Sequence, residues 1–493
     1  MGNKIIIYQV LTRLFGNQKH TNKEYGTIKE NGAGKMNDFS DQVLNNLHSL
    51  GFTHIWFTGI IRHASKTVYK RNRIPESTPE LVKGIAGSPY AICDYYDINP
   101  DIAKNVKNRM SEFCKLLERT HKAGMKAIID FVPNHVAAEY NGKYKPFTDE
   151  NYYPGHIHDG DWTDTAKLNY ASADTRLKMI DILLFWAEKG VDGFRCDMAE
   201  LVPVDFWNYA VKTVKKQFPE IIFIGEVYNP YLYRDYVAIG GFDYLYDKVG
   251  MYDTMKAVIQ GRTPASQITV AWQQVGDIYD HMLYFLENHD EQRIASDYFA
   301  GDAKKAIPAV IVNLLMRGNP FMVYMGQTLG EKALEKAGFS GVDGRTTIYD
   351  YWSLGTLRRW LTDSLTDYES DLHSIYKKIL SIASSETIVA DGKFFDLMYV
   401  NPTSYDFDAG KQYAFIRKND DGMLLVCANF SSRDVNVKIK IPTHAFEYLE
   451  IAEGKYEAIN LLNNEKKSFM LTNDGMVNTC IPAYFAVIWK IVL

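Results

Sequence analysis

Several of the most apolar runs in this chain end on acidic or amide side chains. Lys126-Ala127-Ile128-Ile129-Asp130-Phe131-Val132 leads into Pro133-Asn134-His135, and Gly193-Phe194-Arg195-Cys196 ends on Asp197. Ile221-Ile222-Phe223-Ile224-Gly225 ends on Glu226, and Met282-Leu283-Tyr284-Phe285-Leu286 runs into Glu287-Asn288-His289-Asp290. One carboxylate beside an apolar run is as often a helix cap or an ion-pair partner as a reactive group. Four such ends converging on one rim are poorly explained that way. Converging carboxylates suit glycoside hydrolysis with retention, which needs an ionised nucleophile and a protonated carboxyl about 5–5.5 Å away. Neighbouring parallel strands lie ~4.8 Å apart and can supply that separation. Asp197 is the candidate nucleophile, kept ionised by Arg195 two residues earlier on the same strand face. Glu226 faces a crowded anionic site, where like charge should keep it protonated as the acid/base. Asp290 would add negative charge beside an oxocarbenium-like transition state.

Such ends must be brought together by a scaffold, and the sequence repeats one rhythm that supplies it. An amphipathic helical stretch, a glycine or proline break and a β-rich run follow one another. Examples are 39–50 with 53–57, 110–121 with 126–132, 176–189 with 193–197, and 206–218 with 221–226. Ile5-Ile6-Ile7-Tyr8 opens the series, and 244–246, 282–286 and 320–324 continue it to eight strands. Repeated β–helix–β units require parallel strands and right-handed crossovers. Eight of them predict a closed (β/α)8 TIM barrel rather than a doubly wound sheet, and no Gly-rich phosphate loop follows the first strand. Residues 136–168 break the rhythm with a polar, aromatic excursion, read as a small domain inserted after strand 3. From residue 391 the pattern changes to short alternating strands separated by turns, a C-terminal antiparallel β-sandwich over 391–493. The barrel is thus assigned 1–135 and 169–390.

Bulk properties narrow the partners. A net charge of −5 over 493 residues leaves no basic excess for nucleic acid or an anionic membrane surface. No window approaches the ~20 apolar residues of a membrane span. The 33 Tyr and 25 Phe mainly build the core, but they also favour a carbohydrate partner, whose apolar C–H faces pack on aromatic rings. Five scattered cysteines with no C-x-x-C pair argue against a disulfide framework and a zinc site. The apolar start is too short for a signal-peptide core, so the sequence as it stands reads as cytoplasmic, with the periplasm or secretion as the alternative if a leader has been removed.

The four strand-end segments, in this order and at these intervals, resemble the conserved regions of the α-amylase family of retaining glycoside hydrolases. Ser88-Pro89-Tyr90-Ala91-Ile92-Cys93-Asp94-Tyr95 is similar to the segment that supplies a sugar-stacking tyrosine, and Met322-Val323-Tyr324-Met325-Gly326-Gln327 to the last barrel strand. The resemblance spans essentially the whole chain. It implies Asp197 as nucleophile, Glu226 as acid/base and Asp290 as transition-state stabiliser, with Tyr90, His135, Arg195 and His289 contacting the sugar. It implies cleavage of α-1,4-glucosidic bonds in starch-like glucans or maltooligosaccharides, with no cofactor for the chemistry. Asn134 matches a frequent calcium ligand, yet the Lys-His pair that many starch-cutting members carry after the nucleophile is Glu200-Leu201 here. Asp161 and Asp164 fit no metal-ligand spacing, so the metal ligands are unassigned and a structural Ca2+ stays open. Two other readings stay open. One is an α-glucan transglycosylase working through the same intermediate; the other is a non-catalytic carbohydrate-binding barrel, disfavoured because all three acids are present.

Overall fold

The computed structural model describes residues 4–140, 146–333 and 342–492. Eight parallel strands close into a barrel: β1 (Ile6–Leu11), β2 (His54–Thr58), β3 (Lys126–Phe131), β4 (Gly193–Cys196), β5 (Ile222–Gly225), β6 (Tyr244–Tyr246), β7 (Met282–Phe285) and β8 (Phe321–Tyr324). Each strand pairs with its neighbours in sequence, and β8 closes on β1 through Ile6↔Phe321 to Gln9↔Tyr324. The strands read as continuous apolar runs because helices cover their outer face while side chains fill the lumen.

Local signals set the intervening helices. Ser40 caps α1 (Asp41–Ser49) and Ser172 caps α3 (Ala173–Glu188), each side chain accepting a backbone N–H of the first turn. Gly124 follows α2 (Arg109–Lys122) at φ 83° and Gly190 follows α3 at φ 95°, left-handed turns that send the chain into β3 and β4. Trp186 of α3 and Trp207 of α4 (Val204–Gln217) are wholly buried against the barrel wall.

The C-terminal region is antiparallel. It comprises β9 (Lys393–Asp396), β10 (Gln412–Asn419), β11 (Gly422–Asn429), β12 (Val435–Lys440), β13 (Gly454–Asn460), β14 (Lys466–Leu471), β15 (Met476–Ile481) and β16 (Phe485–Ile491). One sheet runs β9-β10-β11-β16-β13-β14, and β12 pairs with β15 in the second layer. All five cysteines are free; Cys93, Cys196 and Cys427 are buried, Cys114 is half-buried and Cys480 is exposed. No helix among the described residues is long and apolar enough to cross a membrane.

Two small elements were not anticipated. A hairpin-like pair, Ile61–His63 with Ile92–Ile98, lies in the connection between β2 and α2, and the turn before its second strand carries Tyr90. The excursion after β3 holds His135–Ala137 antiparallel to Thr165–Lys167, strands too short to show any periodicity in sequence. Residues 141–145 of that excursion lie outside the described residues.

Gly193 illustrates how tightly the barrel is filled. A Cβ there would stand 2.7 Å from Ile222 Cγ1 and 3.1 Å from Ile128 Cγ1, the two residues that flank it in register on β5 and β3. Gly193→Val is expected to lose about 1–3 kcal/mol through overpacking, read as a lowered midpoint in thermal unfolding. An unchanged midpoint would show that the lumen can yield.

Candidate active site

The site begins with strand register. Cys196 of β4 pairs with Gly225 of β5, so the next residues, Asp197 and Glu226, leave adjacent strands side by side where the ladder ends. Alternation along β4 puts Arg195 and Asp197 on one face. Arg195 is 1% exposed, and its Nη1 donates to Asp197 Oδ1 at 2.8 Å while its Nη2 lies 2.7 Å from Glu226 Oε2. The same Nη1 reaches Asp130 Oδ1 at 3.4 Å. One guanidinium therefore faces three carboxylates, with its plane packed against Trp56, Tyr90 and Tyr246 at 5.2–5.6 Å from the ring centroids.

Burial is the main influence on these acids. It pushes both Asp197 and Glu226 above their ordinary values, and Arg195 only partly offsets it. The sequence reading credited Arg195 with holding Asp197 ionised and like charge with protonating Glu226. In the structure desolvation comes first for both, and the Asp197 and Asp290 charges add to the rise at Glu226. Arg195 engages both carboxylates, donating to Asp197 and pairing with Glu226, so the two acids titrate as one coupled pair. Tyr228 O–H donates to Glu226 Oε1 at 2.6 Å and the Met198 N–H to Oε2 at 2.8 Å, which fixes the carboxyl plane. Met198 achieves this at φ 41°, a left-handed backbone that is strained for a side chain with a Cβ.

Asp290 faces the same space. Its carboxylate oxygen lies 2.9 Å from His289 Nε2, and burial is outweighed there by His289, Arg195 and Arg345, which hold it below its ordinary value. The Gln9 amide donates to His289 Nδ1 at 2.7 Å, leaving the ring hydrogen on Nε2 to face Asp290. Tyr90 stacks on His289 with centroids 5.2 Å apart and bonds to it through its hydroxyl. Burial lowers His135 to about 4, so the ring is neutral, and it packs against Trp162 at 5.5 Å.

A cleft of about 210 Å3 is lined by Asp197, Glu226, Asp290, Tyr90 and His135, with Arg195 and His289 immediately behind it. Gln9, Trp56 and Tyr228 were missed from the sequence. Gln9 was the one polar residue within Ile6–Leu11, and Tyr228 lies two residues after Glu226; those were the available signals.

The ligands for a structural calcium do not fit a metal here. The Asn134 amide donates to Asp159 Oδ2 at 2.8 Å, and the Lys167 ammonium sits 2.7 Å from Asp159 Oδ1, where a cation would be held. Asp164 is engaged by Lys83 at 3.1 Å, and no group of three or more acidic, His or Cys side chains is arranged for a metal among the described residues. Glu200, at the departure from the starch-cutting pattern, accepts the backbone N–H groups of Tyr228 and Asn229 at 3.1 and 2.9 Å. It thereby ties the loop after β5 to the turn after β4.

Comparison with known proteins agrees with this geometry. The chain matches the family description "Alpha amylase, catalytic domain" over residues 9–165 and 146–349, and "Alpha amylase, C-terminal all-beta domain" over 404–492. It is 26% identical over 353 residues to "Alpha-amylase 3" of Dictyoglomus thermophilum, covering 62% of this chain and 68% of that protein. It is 22% identical over 466 residues to a Bacillus "Cyclomaltodextrinase", covering 86% and 72%. The fold superposes on the maltogenic alpha-amylase AmyB of Thermotoga neapolitana with a TM-score of 0.71 at 20% identity, covering 99% of each chain. The chain belongs to the alpha-amylase family, glycoside hydrolases that act on O-glycosidic bonds.

Proposed function

We propose that the chain hydrolyses α-1,4-glucosidic bonds in starch-like α-glucans or maltooligosaccharides with retention, through a covalent glycosyl-enzyme intermediate on Asp197. The observation that carries this reading is Arg195 spanning Asp197 and Glu226 on adjacent strand ends. Protonated Glu226 gives its proton to the glycosidic oxygen as an Asp197 oxygen attacks the anomeric carbon. Glu226, now ionised, takes a proton from water, and the hydroxide equivalent attacks the same carbon to release the sugar and restore Asp197. Asp290 opposes the positive charge that builds on the ring, and Tyr90, His135, Arg195 and His289 orient the sugar at the scissile bond. Relatives named for maltogenic or cyclomaltodextrin-cleaving activity fall within this chemistry.

We further infer that Lys167 takes the place of a structural calcium, its ammonium bridging the excursion to Asn134 at the end of β3 through Asp159. No step of the reaction runs through a metal.

Asp197→Asn is expected to fold and to lose turnover, and Glu226→Gln to lose about 10²–10⁴-fold in kcat on maltoheptaose. Product anomers followed by NMR should appear first as α; initial β products would refute retention, and products longer than maltoheptaose would favour the transglycosylase. Tyr228 lowers the Glu226 pKa by donating to its ionised form. Tyr228→Phe should therefore raise that pKa and move the alkaline limb of kcat/KM to higher pH, whereas an unmoved limb would show that the Tyr228 hydroxyl does not tune the acid. For the metal, EDTA should leave the wild-type Tm unchanged. Lys167→Gln should make Tm rise with added calcium, because Asp159 and Asn134 are then released to a cation.

A further inference from the structure

A second cavity, of about 800 Å3 against 210 Å3 for the carboxylate cleft, opens at the other end of the barrel. Tyr244 begins β6, Tyr279 precedes β7 and Asn319 precedes β8, so its upper wall is the N-terminal face of the barrel. Phe394 of β9 forms the facing wall, and the rings of Tyr399 and Tyr448, 59% and 52% exposed, stand at its mouth.

Arg317 sits in this cavity in an unusual state. It is 7% exposed, and its guanidinium carbon lies 3.6 Å from the Tyr279 ring centroid, 4.5 Å from Phe394 and 4.6 Å from Trp272. Rings cover its faces, so a ligand in the cavity would meet the guanidinium edge-on. Its Nε is buried and has no hydrogen-bond partner among the described residues. A buried donor left so is costly and normally finds an acceptor. Asp280, Asp391 and Asp396 line the same cavity together with Lys393 and Arg417, so acidic and basic side chains balance and favour neither an anionic nor a cationic ligand. A wholly apolar ligand would leave Arg317 unpaired. A neutral, hydroxylated ring satisfies all three: its oxygens accept from Arg317, its hydroxyls donate to the carboxylates, and its C–H faces stack on the tyrosines.

We propose that this cavity is a second, non-catalytic saccharide site that takes an α-glucan oligosaccharide, stacked on Tyr399 and Tyr448 with its hydroxyls on Arg317. The glucan class rests on the function proposed above; the aromatic and guanidinium geometry does not. A polymer held at one end of the barrel is presented to the cleft at a raised effective concentration, while a short oligosaccharide gains nothing.

Maltoheptaose titrated calorimetrically into Asp197→Asn protein should show two binding events, and adding Tyr399→Ala with Tyr448→Ala should remove one. In the otherwise wild-type enzyme the same tyrosine pair should raise KM for soluble starch several-fold and leave kcat/KM for maltotriose unchanged. Both rings are exposed, so folding is not at stake. Identical titrations with and without the tyrosines, or an unchanged starch KM, would overturn the second site while leaving the cleft reading intact. A wild-type enzyme without turnover would instead remove the cleft reading and leave the titration to judge this site.

Discussion

The site depends on one buried cation. Removing Arg195 would leave Asp130, Asp197 and Glu226 desolvated against one another with Asp290 nearby, and burial of unpaired charge is among the most destabilising changes a core can suffer. Arg195 lets the acids be buried, while their burial raises their pKa values into a range where proton exchange is useful. Neither effect would be available at a solvent-exposed cluster, where water would screen both. The guanidinium also packs against three aromatic rings, so packing and ion pairs together fix its position.

The barrel contributes alignment. Parallel strands in register put residues of equal rank at equal height, so a carboxylate one residue beyond β4 and another one residue beyond β5 become neighbours without a dedicated loop. Asp290 is different. It lies five residues beyond Phe285, at the end of β7, and its placement depends on side chains: Asn288 Oδ1 accepts the Asp290 N–H at 2.8 Å, and His289 holds the carboxylate.

That contrast explains what could be read from the sequence. All eight strands are apolar runs punctuated by Gly or Pro, and each observed strand falls at its expected place, with small shifts at the ends; β1 extends further, to Leu11. Asp197, Glu226 and Asp290 stood out because acids ending such runs are uncommon. Gln9 and Trp56 did not, since one polar or aromatic residue inside an apolar strand is ordinary; only the closed barrel shows Gln9 meeting His289 across 280 positions and Trp56 donating to Asp130. The pairing of Lys167 with Asp159 was invisible for a similar reason. Both fall in the irregular excursion, where three-residue strands give no period and the partner Asn134 comes from a different element. The balance of desolvation over like charge at Glu226 was also beyond reach, because burial depth is a property of the folded molecule.

Glu200 links two loops that differ in sequence and come from different strands. Since its carboxylate holds the backbone of Tyr228 and Asn229, the turn behind Asp197 and the segment behind Glu226 behave mechanically as one piece. Anyone recombining this scaffold to alter which sugars it accepts should transplant the two segments together. Exchanging only one would leave the Glu200 carboxylate or the Tyr228 and Asn229 N–H groups without their partner, and confuse a change of selectivity with a loss of alignment.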